Sequence, residues 1–168
     1  YYKQVDGITT QSQSFITKYE FRKTSGSYDI MGVDVLLRKQ FKNISSWLSY
    51  SYMFNEYTFK SLEEIQFPSN FDTTHSFTLG TTYSNNNLNV SAGFNYRTGK
   101  PTSVPLLGNE IIDDEINFDT ANNTRIPDYF RVDASLLYKL QLSEGLRTEI
   151  GASVWNAFNT ENTINNYY

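Results

Sequence analysis

The chain has no cysteine, one histidine and four prolines among its 168 residues, and only 19% of them are charged. Without cysteine neither a disulfide scaffold nor a thiolate metal site can form, while the redox character of the compartment stays open. Lysine and arginine nowhere form a run, and the formal net charge is -4. Phosphate neutralisation needs clustered cations, so nucleic acid is excluded as a partner. No stretch approaches the roughly 20 apolar residues of a membrane-spanning helix. The mean hydropathy of -0.50 would ordinarily indicate a soluble protein. That inference fails for a transmembrane barrel, whose strands are about 10 residues long and half polar. No Gly-x-Ser-x-Gly, Walker loop or His-Glu-x-x-His is present, and no residue is assigned a catalytic role. Tyr1-Tyr2-Lys3 carries no initiating Met, charged leader or apolar signal segment, so the chain is expected to be an internal piece of a longer protein.

What the chain does have is 13 Tyr and 12 Phe, set in strict alternation. In Tyr129 to Leu140, YFRVDASLLYKL, one side receives Phe130, Val132, Ala134, Leu136, Tyr138 and Leu140, and the other Arg131, Asp133, Ser135 and Lys139. Strand side chains alternate with a period of two, so this is a strand with one apolar and one polar face. After a turn near Ser143, Leu146, Thr148, Ile150, Ala152 and Val154 oppose Arg147, Glu149, Gly151, Ser153 and Trp155. The same reading predicts strands over about 28–40, 44–58, 74–83 and 88–98, and one between Ile8 and Lys23 where Phe15, Thr17, Tyr19 and Phe21 alternate. On the polar side, Gly80 and Gly93 are expected to leave room for a facing group.

Short turns near Asn43, Asn86 and Ser143 alternate with long connections, about 60–73 and 99–128. The left-handed tolerance of Asn is taken to make the turn at Asn85-Asn86-Asn87. The fold predicted is all-β, an antiparallel up-and-down meander with its short turns at one end and its long loops at the other. Membrane barrels sort their loops this way, whereas Greek-key sandwiches do not. Tyr50, Tyr52, Phe54, Tyr57, Phe59, Phe94 and Tyr96 gather at the long-loop end and are expected to form an aromatic girdle. Ordinary strand propensity for aromatics is the plainer alternative.

Candidate chemistry is sparse. His75 stands alone and reads as structural. Glu110, Asp113, Asp114, Glu115 and Asp119 crowd one loop but lack the spacing and Gly of a calcium loop, so a solvated acidic loop is expected. Asp133 and Glu149 are a conceivable glycosidase pair, but Arg131, Lys139 and Arg147 beside them point to compensated charge. The sequons at Asn43, Asn89 and Asn122 are read as chance. No metal and no cofactor is expected.

Several pieces together resemble the C-terminal barrel region of TonB-dependent outer-membrane transporters of the Bacteroidota type. They are YYKQVDG at Tyr1 to Gly7, the Gly32-Val33-Asp34 step, WLSYSYMFNEYTF at Trp47 to Phe59 and FDTTHSFTLGTTY at Phe71 to Tyr83. NYRTGKPTS at Asn95 to Ser103, RIPDYFRVDASLLYKL at Arg125 to Leu140 and VWNAFNTENTINNYY at Val154 to Tyr168 complete the series. Their order covers nearly the whole chain, and Asn156-Ala157-Phe158-Asn159 matches the element that leads into the last external loop. The resemblance implies about seven strands of a barrel of about 22, all 168 residues lying in that one domain, with the plug and the final strand elsewhere. It implies energised uptake of a scarce solute: a siderophore, vitamin, oligosaccharide or peptide.

On that reading Arg97, Arg131, Asp133, Arg147 and Glu149 face the lumen and the plug, and Leu79, Val90, Val132, Leu136, Ile150 and Val154 face lipid. The implied partners are outer-membrane lipid, the protein's own plug and remaining barrel strands, and a TonB complex reached through an N-terminal region. A surface lipoprotein is kept as a further candidate partner. Two other readings stay open from the residues alone. One is a small barrel of about eight strands with an adhesin or structural role. The other is a soluble β-sandwich binding carbohydrate through Trp47 or Trp155.

Overall fold

The computed structural model describes residues 2–11, 20–60, 66–112, 114–118 and 120–165, with backbone alone for 2–11, 20–24 and 115. Its elements are β1 (Tyr2–Gln11), β2 (Glu20–Phe41), β3 (Ile44–Thr58), β4 (Gln66–Pro68), β5 (His75–Ser84) and β6 (Leu88–Arg97). They continue with β7 (Pro101–Thr102), β8 (Ile111–Ile112), β9 (Glu115–Ile116), β10 (Thr124–Arg125), β11 (Tyr129–Ser143) and β12 (Leu146–Val154). One sheet runs in the order β1-β2-β3-β5-β6-β11-β12, every neighbour antiparallel, with β4 added to the upper end of β3. This is the meander the alternation predicts.

The first strand is a correction. It lies at Tyr2–Gln11 and not between Ile8 and Lys23, and β2 begins at Glu20. Residues 12–19 of that expected strand fall outside the described residues. The Asn turn also works differently from expectation. None of Asn85, Asn86 and Asn87 has a positive φ. Instead Asn85 Oδ1 accepts from the amides of Asn87 at 3.0 Å and Leu88 at 2.9 Å, so the side chain replaces backbone partners.

Register fixes which side chains share a face. Phe77 pairs with Tyr50 and Tyr96, Leu79 with Leu48 and Phe94, and Val132 with Phe94. Leu136 pairs with Val90 and Ala152, and Tyr138 with Ile150. The alternating apolar residues of β2, β3, β5, β6, β11 and β12 therefore lie mainly on one surface. The strand ends are also staggered. Ile44 at the foot of β3 is level with Tyr83, Val90 and Leu136, yet β11 continues below that row to Ser143, while β3 climbs to Thr58. Such a progressive offset is the shear that tilted strands need in order to close a barrel.

No second layer covers the sheet among the described residues. Beside it stand only the two-residue pairs β7–β10 and β8–β9. A sandwich would need another sheet about 10 Å away, and the described residues supply none. Among the described residues the buried large hydrophobic side chains are Phe59 and Ile126, both at the long-loop end. Met31, Val33, Leu37, Phe41, Leu136, Ile150 and Val154 instead stay open on the apolar face.

Candidate functional site

The long-loop end is where side chains converge. β3 outruns β5, because Tyr52 is the last residue paired with His75, and β4 fills the space above through Glu56 to Thr58. The polar side of this overhang carries a small cluster. Tyr28 stacks on Tyr57 at 4.8 Å, and Phe67 lies 6.0 Å from Tyr57 and 6.1 Å from Phe59. A side chain at Gly26 would collide with the Phe59 ring and the Thr58 carbonyl, so this close approach requires glycine. Tyr57 and Phe59 thus leave the expected girdle, one turned to the polar face and the other buried.

Behind the cluster lie three buried polar residues, Asn55, Ser69 and Asp72. Ser69 donates its amide to the Asn55 carbonyl at 3.0 Å and accepts from the Asp72 amide at 2.9 Å. The Asp72 carboxylate bonds the Arg125 guanidinium and, at 3.2 Å, the Thr74 hydroxyl. Arg125 also donates to the carbonyls of Asp72 at 3.0 Å and Gly99 at 2.9 Å. Asn122, with φ 53, donates to the Pro68 carbonyl at 2.7 Å and to Asn70 at 2.6 Å. Asp128 accepts from the Tyr96 hydroxyl at 2.6 Å and the Gly99 amide at 2.9 Å. The Tyr96 hydrogen bond, followed by the Gly99 amide, holds the Asp128 carboxyl below the ordinary carboxylate range.

Of the acidic residues in the longest loop, Glu110 accepts from the Gly108 amide at 2.9 Å, which lowers its pKa. Asp113 and Asp119 lie outside the described residues. Among the described residues no His, Cys, Asp or Glu group fits a metal ion. His75 shares a hydrogen bond of 3.0 Å between Nδ1 and the Tyr50 hydroxyl and sits beside the Tyr50 and Tyr52 rings. On the same apolar face an aromatic ladder links Phe77 to Phe94 at 5.5 Å, Phe94 to Phe130 at 5.3 Å and Phe130 to Phe158 at 6.2 Å. The band lies toward the strand ends and includes Tyr50, Tyr52 and Phe94 of the expected set.

The polar face carries the other predicted residues. Arg97 stacks over Tyr129 at 4.6 Å, and Arg131 lies 5.7 Å from the Trp155 ring. Arg131 pairs with Asp133 at 2.8 Å, and the other oxygen of Asp133 accepts from the Asn156 amide at 2.9 Å. Glu149 lies opposite Lys139 at 4.0 Å, both exposed, a separation that contributes little. Arg147 sits opposite Gln141, with no ion pair among the described residues. Lys139 is six positions along β11 from Asp133, so Glu149 and Asp133 stand about 20 Å apart. Glycosidase carboxyls stand no more than about 9.5 Å apart, which removes that chemistry. Gly80 leaves room for a facing group, the Trp47 indole, which occupies the space a side chain would take, and Gly93 is open.

Beyond β12, Asn156 and Asn159 adopt φ near 52 and 51 and turn the chain back. Asn162 then bonds both the amide and the carbonyl of Phe130, at 2.9 and 3.0 Å, where β12 has stopped covering β11. Bonding both groups of one residue imitates a paired strand.

The sheared meander, its bare apolar face and its sorted loops describe a barrel wall. The family model for the TonB dependent receptor-like β-barrel matches residues 1–157. The chain belongs to the TonB-dependent receptor β-barrel family. Such barrels are receptors and transporters of the outer membrane, working with a plug and a TonB complex. Neither the curated proteins nor the solved structures provide a match. For this TonB-dependent barrel, sequence reasoning missed Asp72, Arg125, Asp128, Asn122 and Asn162. Each acts on a residue far along the chain; the resemblance of the Phe71, Arg125 and Val154 pieces marked the neighbourhoods of four of them, and Asn122 was read only as a chance sequon.

Proposed function

We propose that this chain is the C-terminal part of a barrel of about 22 strands in a Bacteroidota-type transporter, taking up a scarce solute with energy delivered through TonB. The single observation that carries this is the uncovered apolar face running from β2 to β12 against a polar face bearing the charges. In water that surface would be a liability far larger than ordinary exposed patches; in lipid it is what a barrel requires. Leu79, Val90, Val132, Leu136, Ile150 and Val154 face lipid, and Arg97, Arg131, Asp133, Arg147 and Glu149 face the lumen.

Within the lumen set, Arg131 and Asp133 satisfy one another, and Asp133 also caps Asn156. Arg147 and Arg97 are therefore the side chains best placed to meet acidic groups on the plug. The loops from about 60 to 73 and 99 to 128 form part of the external mouth, where a siderophore, vitamin, oligosaccharide or peptide is recognised. A surface lipoprotein above that mouth is a further partner. The whole chain is one portion of the barrel domain, and both edges of the sheet pair with strands of the same protein, since an open edge in lipid costs several kcal/mol per backbone group.

The test is peptide mapping of the intact polypeptide in an outer-membrane fraction, using peptides of this chain as the probe. A polypeptide several times longer than these 168 residues, with a plug preceding the barrel, supports the proposal. A product of about this length supports the small adhesin-like barrel and ends the transport reading.

A further inference from the structure

We propose that Arg125 is a latch that makes the two long loops one body, so that residues 66–74 and the inner part of 98–128 hold or release together. The observations are independent of one another. Arg125 sits in β10 and reaches across 53 positions to both the carboxylate and the carbonyl of Asp72, while a third bond ties it to the Gly99 carbonyl. Three strands of chain thus meet on one guanidinium, whose planar fork presents several donors at once.

Asp72 is 4% exposed, and its Oδ1 has no protein partner. Arg125 supplies the only ion pair to it among the described residues. Asn122 makes a second bridge between the same loops, to Pro68 and Asn70. The joined loops are anchored to the sheet by Met53 to the Thr74 carbonyl at 2.9 Å, by Ser69 to the Asn55 carbonyl at 3.0 Å and by Thr98 to the His75 carbonyl at 2.9 Å.

The outer part of the longer loop is built otherwise. Leu106 donates to the Asn117 carbonyl and Asn117 to the Glu110 carbonyl, both at 2.8 Å, and Ile111 pairs with Ile116. These bonds close a hairpin on itself, and its tip leaves Leu107 93% and Ile111 68% exposed. The latch divides the loop into an inner half fixed to the wall and an outer hairpin free to move against it. Its consequence for solute entry rests on the transporter reading: the mouth presents a preformed wall and adapts through the hairpin. The latch itself does not depend on that reading.

Hydrogen exchange on the full-length protein in detergent micelles tests it, comparing wild type with Arg125→Met, Asp72→Asn and Asn122→Ala. Heat-modifiable gel migration verifies that each barrel is assembled. Arg125→Met is expected to speed exchange about tenfold in both 66–74 and 98–102 and to leave 106–117 and 85–88 unchanged. Asp72→Asn should do the same in the same two segments. A rise confined to the loop that carries the substitution overturns the latch. Should Arg125→Met fail to assemble, Asn122→Ala reads the same coupling through an exposed contact: faster exchange in 66–70 supports it, and unchanged exchange there overturns it. Absence of solute uptake by the assembled wild-type protein, with exchange still coupled between the two loops, would tell against the transporter reading and leave the latch intact.

Discussion

The sheet body and the loop end of this molecule are stabilised by opposite means. Along β5, β6, β11 and β12 the apolar side chains have neighbours only within their own face, and hydrophobic burial in the usual sense is missing. At the loop end, Phe59 and Ile126 are buried, and so are Asn55, Ser69 and Asp72. A soluble domain would place its apolar core in the regular elements and leave its loops open. Here the order is inverted, and the proposed function accounts for it: on that reading the regular elements stand in lipid, while the loops stand in water and need a core of their own.

The loop end should give the largest response to a single change. Arg125→Met strands the buried Asp72 carboxylate and should cost about 3 kcal/mol, at the lower end for broken buried pairs because the guanidinium is about one third exposed. The loss should appear as local exchange and protease sensitivity of the loops, with the β-sheet circular dichroism unchanged. If the sheet melts with the loops, the two regions are not separate in the way described.

Glycine substitutions sharpen the contrast. A side chain at Gly99 would land on the Ile126 carbonyl, whereas at Gly93 it would meet nothing within 4 Å. Gly99→Ala should therefore cost about 2 kcal/mol, and Gly93→Ala should be neutral within about 0.5 kcal/mol, as read by denaturant titration of the refolded full-length barrel. Comparable losses at both would mean that the polar face is packed against something near Gly93.

The smallest effect is expected from acid. The Asp128 carboxyl is lowered in the folded protein, so its contribution is present above the unfolded pKa and is lost as pH falls through the folded value, below the ordinary carboxylate range. Exchange at Gly99 should rise in that acid window and stay flat through neutral pH. Asp128→Asn should remove the acid step at a cost of about 1 kcal/mol.

The sheet was legible for a physical reason. One face meets apolar surroundings and the other polar ones, so Val132, Ala134 and Leu136 against Arg131, Asp133 and Ser135 print the strand period directly into the sequence. β1 was not legible, since Tyr2 to Gln11 holds its apolar residues, Tyr2, Val5 and Ile8, three apart and not at the strand period of two. The first part of β2 was obscured by Thr24, Ser25, Gly26 and Ser27, of which Gly26 lies against the Phe59 ring. The short β4, β7, β8, β9 and β10 owe their pairing to distant chain. No periodicity announces that Arg125 will meet Asp72, because a contact across 53 positions leaves no trace in either segment. Family likeness placed both in one transporter pattern without giving either a role.

Two neighbouring residues of β11 test the central claim most directly. In the full-length protein, Leu136→Lys and Ser135→Lys place the same charge one position apart, on opposite faces at the middle of the strand. Assembly into the outer membrane, read by heat-modifiable migration and refolding into lipid vesicles, should fall by about 2 to 4 kcal/mol for Leu136→Lys and stay at the wild-type level for Ser135→Lys. Equal losses at the two positions, or a greater loss at Ser135, would contradict the assignment of the apolar face to lipid.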